Sequence, residues 1–117
     1  MKYITLPLAI ILVILASAFA APQEWYKGGT LANATPIEWK NATQRNKVAT
    51  CADFIASLWS KKMLKPSIQN SIESMEDFKP YCYRLVAEID VALRGSTVSP
   101  KVSEIATALF ITEKWVK

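Results

Sequence analysis

The sequence predicts an all-α protein, built as a small orthogonal bundle of three main helices and one short helix. Three segments carry apolar residues at three- and four-residue spacing, which is the period of a helix with one buried face. Helix-start signals precede these segments. The only stretch of strand-like composition, residues 109–112, is short and lies inside a helical pattern.

Residues 1–20 have the pattern of a secretory signal peptide. Lys2 precedes an almost uninterrupted apolar run over residues 4–20, and residues 18–20 (Ala-Phe-Ala) match the small-residue cleavage pattern. We expect cleavage before Ala21 and a mature protein that is periplasmic or secreted from a bacterial cell. The alternative is an uncleaved membrane anchor, because the run is close to the ~17–25 residues that span a bilayer.

Residues 21–34 are predicted to be an extended entry segment, and residues 35–117 a single helical domain. The entry segment contains a proline and the pair Gly28-Gly29 and shows no sustained periodicity. The remaining length suffices for one small core and no more.

The first helix is predicted to begin at a capping box. Thr35 suits the N-cap, Pro36 the first helical position, and Glu38 the third. Apolar residues at helical spacing continue well beyond this start. We expect the helix to end near Lys61 and Lys62, since positive charge interacts favourably with a helix C-terminus.

The middle of the chain predicts a short helix followed by a long one. The short helix begins at Pro66. Ser74 with Asp77 marks a second helix start, and an apolar stripe follows as far as Leu93. Pro80 lies inside this segment and predicts a kink or a restart there.

The last helix is predicted from Ser99 and Pro100, which repeat the pattern of a cap followed by proline. Gly95 is the predicted terminator of the preceding helix. The apolar stripe of the last helix extends from Val102 to Trp115.

The two cysteines, Cys51 and Cys82, are expected to form a disulfide between the first and third helical segments. Both lie on predicted buried stripes, and an even cysteine count in an exported chain favours a bridge. In the chain-entropy account a loop of this size contributes ~3–4 kcal/mol. The alternative is a pair of buried free thiols.

The composition disfavours most catalytic and cofactor sites. The chain contains no histidine, which removes histidine-based nucleophile systems and metal sites. The cysteines lack C-x-x-C spacing, and no glycine-rich phosphate loop is present. The net charge of +4 is mild and no long basic tract occurs, so nucleic-acid binding is not indicated. We expect no enzymatic activity, cofactor or metal.

Aromatic residues and lysines supply the candidate binding residues. Trp39 falls in the polar half of the first helix, where an exposed tryptophan would be a binding anchor; packing against the entry segment is the alternative. The lysine cluster is a candidate contact for an acidic partner or a membrane surface; the alternative is a solvated helix end. The candidates are Trp25, Tyr26, Leu31, Trp39, Lys61, Lys62 and Lys65.

Several motifs resemble those of a group of small exported bacterial proteins. These carry W-Y-x-G-G-T-L, A-T-x-x-E-W, N-K-x-A-T and S-E-I-A, matched here at residues 25–31, 34–39, 46–50 and 103–106. The resemblance implies export and a helical fold and supplies no activity.

A looser resemblance is to the periplasmic acid-stress chaperones of the HdeA/HdeB type. Residues 50–55 are similar to their T-C-x-[DE]-F-[IL] stretch. The resemblance implies a small helical protein in which one disulfide, here Cys51 to Cys82, joins two helices. The shorter spacing between the cysteines and the additional entry segment depart from that family.

These observations together predict a non-enzymatic exported protein that binds another protein in the periplasm or envelope. A stress chaperone and an inhibitor or immunity protein are two forms of this hypothesis, acting as a monomer or a homodimer. Membrane contact is expected only through an uncleaved signal segment. The alternatives are a membrane-anchored envelope protein and an enzyme that uses carboxylates.

Overall fold

The computed structural model describes residues 24–94 and 100–117, which are helical with no strand beyond one isolated bridge. The all-α prediction is confirmed for this part of the chain. The predicted signal segment, Gly95 and Ser99 lie outside the described residues. The elements in chain order are α1 (Pro36–Asn41), α2 (Gln44–Ser60), α3 (Pro66–Gln69), a 3₁₀ turn (Met75–Phe78), α4 (Lys79–Ala92) and α5 (Val102–Thr112).

The predicted first helix is in fact two helices, and this prediction was wrong. Its start is confirmed, because Thr35 Oγ1 accepts from the Glu38 N–H at 3.3 Å and Glu38 Oε1 accepts from the Thr35 N–H at 3.1 Å. Ala42 then leaves the helical conformation with ψ at 157°. Thr43 begins α2 by accepting from the Asn46 N–H at 3.1 Å. A second threonine cap therefore competes with continuation of the first helix.

The long middle segment starts as predicted and restarts at its proline. Asp77 accepts from the Ser74 N–H at 3.1 Å and so caps the 3₁₀ turn. Helix α4 follows with Pro80 in its first turn. Backbone N–H groups there have no acceptor within the helix, so a proline, which lacks this group, breaks no hydrogen bond.

Helix α5 begins at Val102, two residues after the predicted proline start. The entry segment supplies acceptors for its first turn: Val102 N–H donates to Ala34 O at 3.0 Å and Ser103 N–H to Ala32 O at 2.9 Å. These bonds satisfy N–H groups that have no partner within the helix. The sequence predicted Trp115 on the apolar stripe of this helix. That prediction was wrong, because Trp115 lies beyond the end of α5.

Two lysines adopt the left-handed backbone conformation at the C-terminal ends of α2 and α5. Lys62 and Lys114 both have φ of 57°. After α2, Met63 N–H donates to Leu58 O at 2.9 Å; after α5, Trp115 N–H donates to the Phe110 carbonyl, also at 2.9 Å. This is the bonding of a Schellman motif, in which glycine usually occupies the left-handed position.

The segments after these two turns pair with each other. Leu64 and Val116 form an antiparallel bridge, flanked by Lys65 N–H to Trp115 O at 2.8 Å and Lys117 N–H to Met63 O at 3.0 Å. The bridge fixes the C-terminal ends of α2 and α5 beside each other. Their neighbouring C-termini define one end of the groove described below.

The core lies mainly between α2 and α4, with α5 against α4. Its fully buried members come from every helix except α3 and from the segments that follow α2 and α4. The largest apolar ones are Trp39, Cys51, Ile55, Leu64, Cys82, Leu85, Ile89, Leu93 and Val102.

The predicted disulfide is absent, and Cys51 and Cys82 are free buried thiols. Both lie in the interface between α2 and α4, as their positions on the apolar stripes indicated. A disulfide requires a specific separation and direction of the two Cβ atoms, which a position on a buried stripe does not fix. Sharing a core is therefore not sufficient for bridging, and a free cysteine packs there as a small apolar residue.

Candidate functional site

The entry segment is bound tightly to α2. An added Cβ at Gly29 would lie 2.6 Å from the Thr50 backbone nitrogen, so only glycine fits there. Leu31 is buried, and its N–H donates to Thr50 Oγ1 at 3.2 Å. Asn46 exchanges two hydrogen bonds with Thr30, at 2.9 and 2.8 Å. The G-G-T-L stretch is therefore a packing element, and Leu31 is not available to a partner.

Trp39 is buried with 0% of its surface exposed, which corrects the hypothesis of an exposed anchor. Its indole N–H donates to Asp90 Oδ1 at 2.7 Å. Lys47 lies 3.7 Å from the same carboxylate oxygen and 5.5 Å from the centroid of the indole ring. This group joins α1, α2 and α4 through a satisfied indole, an ion pair and a cation–π contact.

Trp25 and Tyr26 pack together near the 3₁₀ turn. Their rings meet edge to face at 5.5 Å, and the Trp25 indole N–H donates to Glu76 Oε1 at 2.9 Å. Lys79 lies 5.3 Å from the Trp25 ring and 3.2 Å from the Glu76 carboxylate. The hydrogen bond from Trp25, aided by Lys79, lowers the pKa of Glu76. Both aromatic rings remain half-buried, so they contribute contacts that hold the entry segment in place.

A groove of about 570 Å³ lies between α2 and α5. Its apolar surface comes from both helices and from the segments that follow them. Met63 and Ile111, which are 46% and 64% exposed, lie among its walls. The lining residues are Asp53, Phe54, Ser57, Leu58, Lys62, Met63, Ser103, Ala106, Thr107, Phe110, Ile111, Val116 and Lys117.

The groove has chemically different ends. Asp53 and Ser103 lie towards the N-terminal parts of the groove-lining stretches of α2 and α5. Lys62 and Lys117 lie at the other end, where the bridge holds the two C-terminal segments together. Lys62 lies nine positions after Asp53, or about 13 Å further along the helix direction at ~1.5 Å per residue. Partial burial raises the pKa of the Asp53 carboxyl.

The structure places Lys62 of the predicted lysine cluster at this end, where lysines from the C-terminal segment join it. Lys61 and Lys62 are exposed and Lys65 is half-buried. The Leu64–Val116 bridge adds the segment that carries Lys114 and Lys117. No local sequence signal predicted this addition, because the two segments are far apart in the chain.

The groove residues Phe54 and Leu58 carried a signal that sequence reasoning did not use. They are four residues apart on α2 and adjoin the buried positions Ile55 and Cys51, which widens the apolar face of the helix. An apolar face that is wider than needed for packing against one neighbouring helix indicates a second contact surface.

The cysteines do not form a reactive site. Burial is the main reason that the pKa of Cys51 lies well above its usual range, and burial raises the pKa of Cys82 to about 12. The thiolate is the reactive form, so both groups are inert near neutral pH. Within residues 24–94 and 100–117, no three acidic or cysteine side chains lie close enough to hold a metal ion.

No known protein-family model, curated protein or solved structure matches this chain. Across the described helices, none has the length and apolar character needed to cross a bilayer.

Proposed function

We propose that this chain is an exported, non-catalytic binding protein of the stress-chaperone kind, which holds apolar segments of other proteins in the groove between α2 and α5. The observation that carries the proposal is the exposure of Met63 and Ile111 on the walls of a mostly apolar groove. Exposed apolar side chains that line one groove together, unlike singly scattered ones, are typical of an interaction site.

The chemistry of the groove favours broad selectivity. Most of its lining is aliphatic or aromatic, and its neutral polar groups are the hydroxyls of Ser57, Ser103 and Thr107. A surface with few hydrogen-bonding groups does not impose a single bound geometry. Met63 adds a flexible, polarizable side chain, a residue type common on promiscuous binding surfaces.

The inhibitor or immunity form of the hypothesis has less support. It relied on an exposed anchor at Trp39, and the structure encloses that side chain completely. The proposal that the protein is not an enzyme is supported by the absence of histidine and by the raised cysteine pKa values. Its export rests on the signal-like pattern of residues 1–20.

A client-aggregation assay tests the proposed function. Insulin reduced with dithiothreitol aggregates through exposed apolar segments, and light scattering follows this aggregation at neutral pH. We expect the protein at equimolar concentration to suppress it, and Ile111→Gln to lose most of the suppression.

Ile37→Gln is the matched control. Ile37 is 70% exposed, compared with 64% for Ile111, and it lies on α1 outside the groove. The control variant is expected to suppress aggregation as the unmodified protein does. Equal suppression by both variants, or no suppression by the unmodified protein, would refute the proposal.

A further inference from the structure

We infer that the groove also binds single-chain amphipathic anions, with the alkyl chain on its apolar floor and the anionic group beside Lys62 and Lys117. This inference rests on the proposed function in one respect, since both require the groove to be an open binding site. The inference goes further in two ways. It names a class of small ligand, and it gives that ligand one orientation in the groove, whereas the proposed binding of apolar protein segments requires neither.

The floor of the groove suits an alkyl chain. Its volume of about 570 Å³ lies within the ~300–1,000 Å³ of typical small-molecule sites. The recessed part is formed by Phe54, Leu58, Ala106 and Phe110, which are buried or half-buried. An inserted chain would remove apolar surface on both sides from water, at ~25 cal/mol per Å².

The lysines that line the groove are held at one end by the backbone. Lys62 occupies the fixed left-handed position after α2, and the Lys117 N–H donates to the Met63 carbonyl at 3.0 Å. In the part of the chain that the structure describes, neither ammonium group forms an ion pair with a carboxylate. Both remain available to an anion.

The helix dipoles do not cancel this positive charge. Each helix C-terminus carries roughly half a negative charge, so α2 and α5 together contribute about one. The nearby carboxylate of Glu113 is engaged by Arg84 at 3.3 Å. Against these stand five lysines on the paired segments and helix ends: Lys61, Lys62, Lys65, Lys114 and Lys117.

The opposite end sets the orientation of the ligand. Asp53 is the only carboxylate side chain among the described residues that line the groove. A ligand anion placed there would be repelled and would gain no compensating cation. The chain therefore lies with its anionic group about 13 Å away from Asp53, at the lysine end.

A bilayer surface fits the site less well than a monomeric ligand. Two of the described groove residues, Met63 and Ile111, are large, apolar and strongly exposed. The apolar floor is recessed between the two helices. A flat membrane surface would meet only the rim, whereas a single chain can enter.

Isothermal titration calorimetry on the purified protein tests the inference with three amphiphiles of equal chain length. These are dodecanoate, dodecyltrimethylammonium and dodecyl maltoside, each below its micelle-forming concentration. We expect one dodecanoate per chain, bound about tenfold more tightly than the cation, because the two lysines attract the anion and repel the cation.

The variant Lys62→Gln/Lys117→Gln is expected to weaken dodecanoate binding about three- to tenfold and to leave dodecyl maltoside unchanged. The control Lys40→Gln/Arg94→Gln removes the same charge from exposed positions outside the groove and is expected to have no effect. Equal affinity for the three amphiphiles, or no effect of the lysine variant, would overturn the inference while leaving the groove as a binding site.

Failure of this inference is distinguishable from failure of the proposed function. Absence of amphiphile binding together with suppression of insulin aggregation would overturn only the ligand class. Binding to vesicles of anionic phospholipid without stoichiometric dodecanoate binding would overturn it in favour of a membrane surface. If the unmodified protein neither suppressed insulin aggregation nor bound an amphiphile, the groove would be rejected as a binding site.

Discussion

The two sides of α2 differ in how completely they are covered. On one side, the entry segment, α1 and α4 enclose the helix, and the buried Thr50 hydroxyl accepts from the Leu31 N–H. On the other side, towards α5, apolar walls stay in contact with water at Met63 and Ile111. The same helix thus provides one side of a closed core and one wall of an open groove.

The largest expected effect is on the closed side, at Trp39. Trp39→Ala removes a fully buried indole and its hydrogen bond to Asp90, so we expect a loss of ~3–5 kcal/mol in the free energy of unfolding. Urea denaturation followed by circular dichroism measures it. Trp39→Phe retains most of the apolar volume and should lose less; equal losses would show that packing is not the main contribution.

Gly29 is the second position that tests the closed side. Gly29→Ala would place a methyl group 2.6 Å from a backbone nitrogen of α2, and the entry segment must move to accommodate it. We expect a destabilisation of ~1–3 kcal/mol by urea denaturation. Asn33→Ala, at an exposed position of the same segment, is the control and should change stability by less than ~0.5 kcal/mol. An unchanged stability in Gly29→Ala would contradict the close approach.

The lysines at the helix ends are expected to respond in the opposite direction. Lys62→Gly or Lys114→Gly relieves a left-handed conformation that costs a side chain roughly 1 kcal/mol, so each should raise the melting temperature modestly. Lys61→Gly, at a residue with φ of −89°, should lower it. A loss of stability in both left-handed variants would argue against this backbone assignment.

The carboxylate of Asp53 predicts a pH-dependent difference at the open side. Burial raises its folded-state pKa, so the ionised carboxylate lowers the free energy of unfolding above that pKa. This loss disappears as the pH falls and the carboxyl takes up a proton. We expect Asp53→Asn to unfold at higher urea than the unmodified protein at pH 7, and this advantage to vanish by about pH 3. A constant advantage at both pH values would show that ionisation is not its cause.

The smallest effect on stability is expected at Ile111. Because 64% of its surface is already exposed, Ile111→Gln should alter the free energy of unfolding by less than ~0.5 kcal/mol. The groove is thereby separable from the core by mutation. A destabilisation comparable to that of Trp39→Ala would show that Ile111 supports the fold and would weaken its use as a probe of binding.

The sequence alone determined the elements that depend on neighbouring residues. The capping boxes at Thr35 and Ser74, the short helix at Pro66 and the restart at Pro80 follow from side chains that bond to the backbone within a few residues. The helical period also placed Cys51 and Cys82 in the core. Periodicity identifies a buried face without fixing the distance between two faces, and so the disulfide prediction was wrong.

Only the tertiary structure decided where the open surface lies. The polar neighbours of Trp39 left open whether its indole is exposed or packed; in the fold the side chain is fully buried and its N–H donates to Asp90, 51 positions away. The groove depends on the Leu64–Val116 bridge, which sets α5 beside α2 and joins two groups of lysines. Such long-range contacts are fixed by the packing of the whole chain, and no local pattern encodes them.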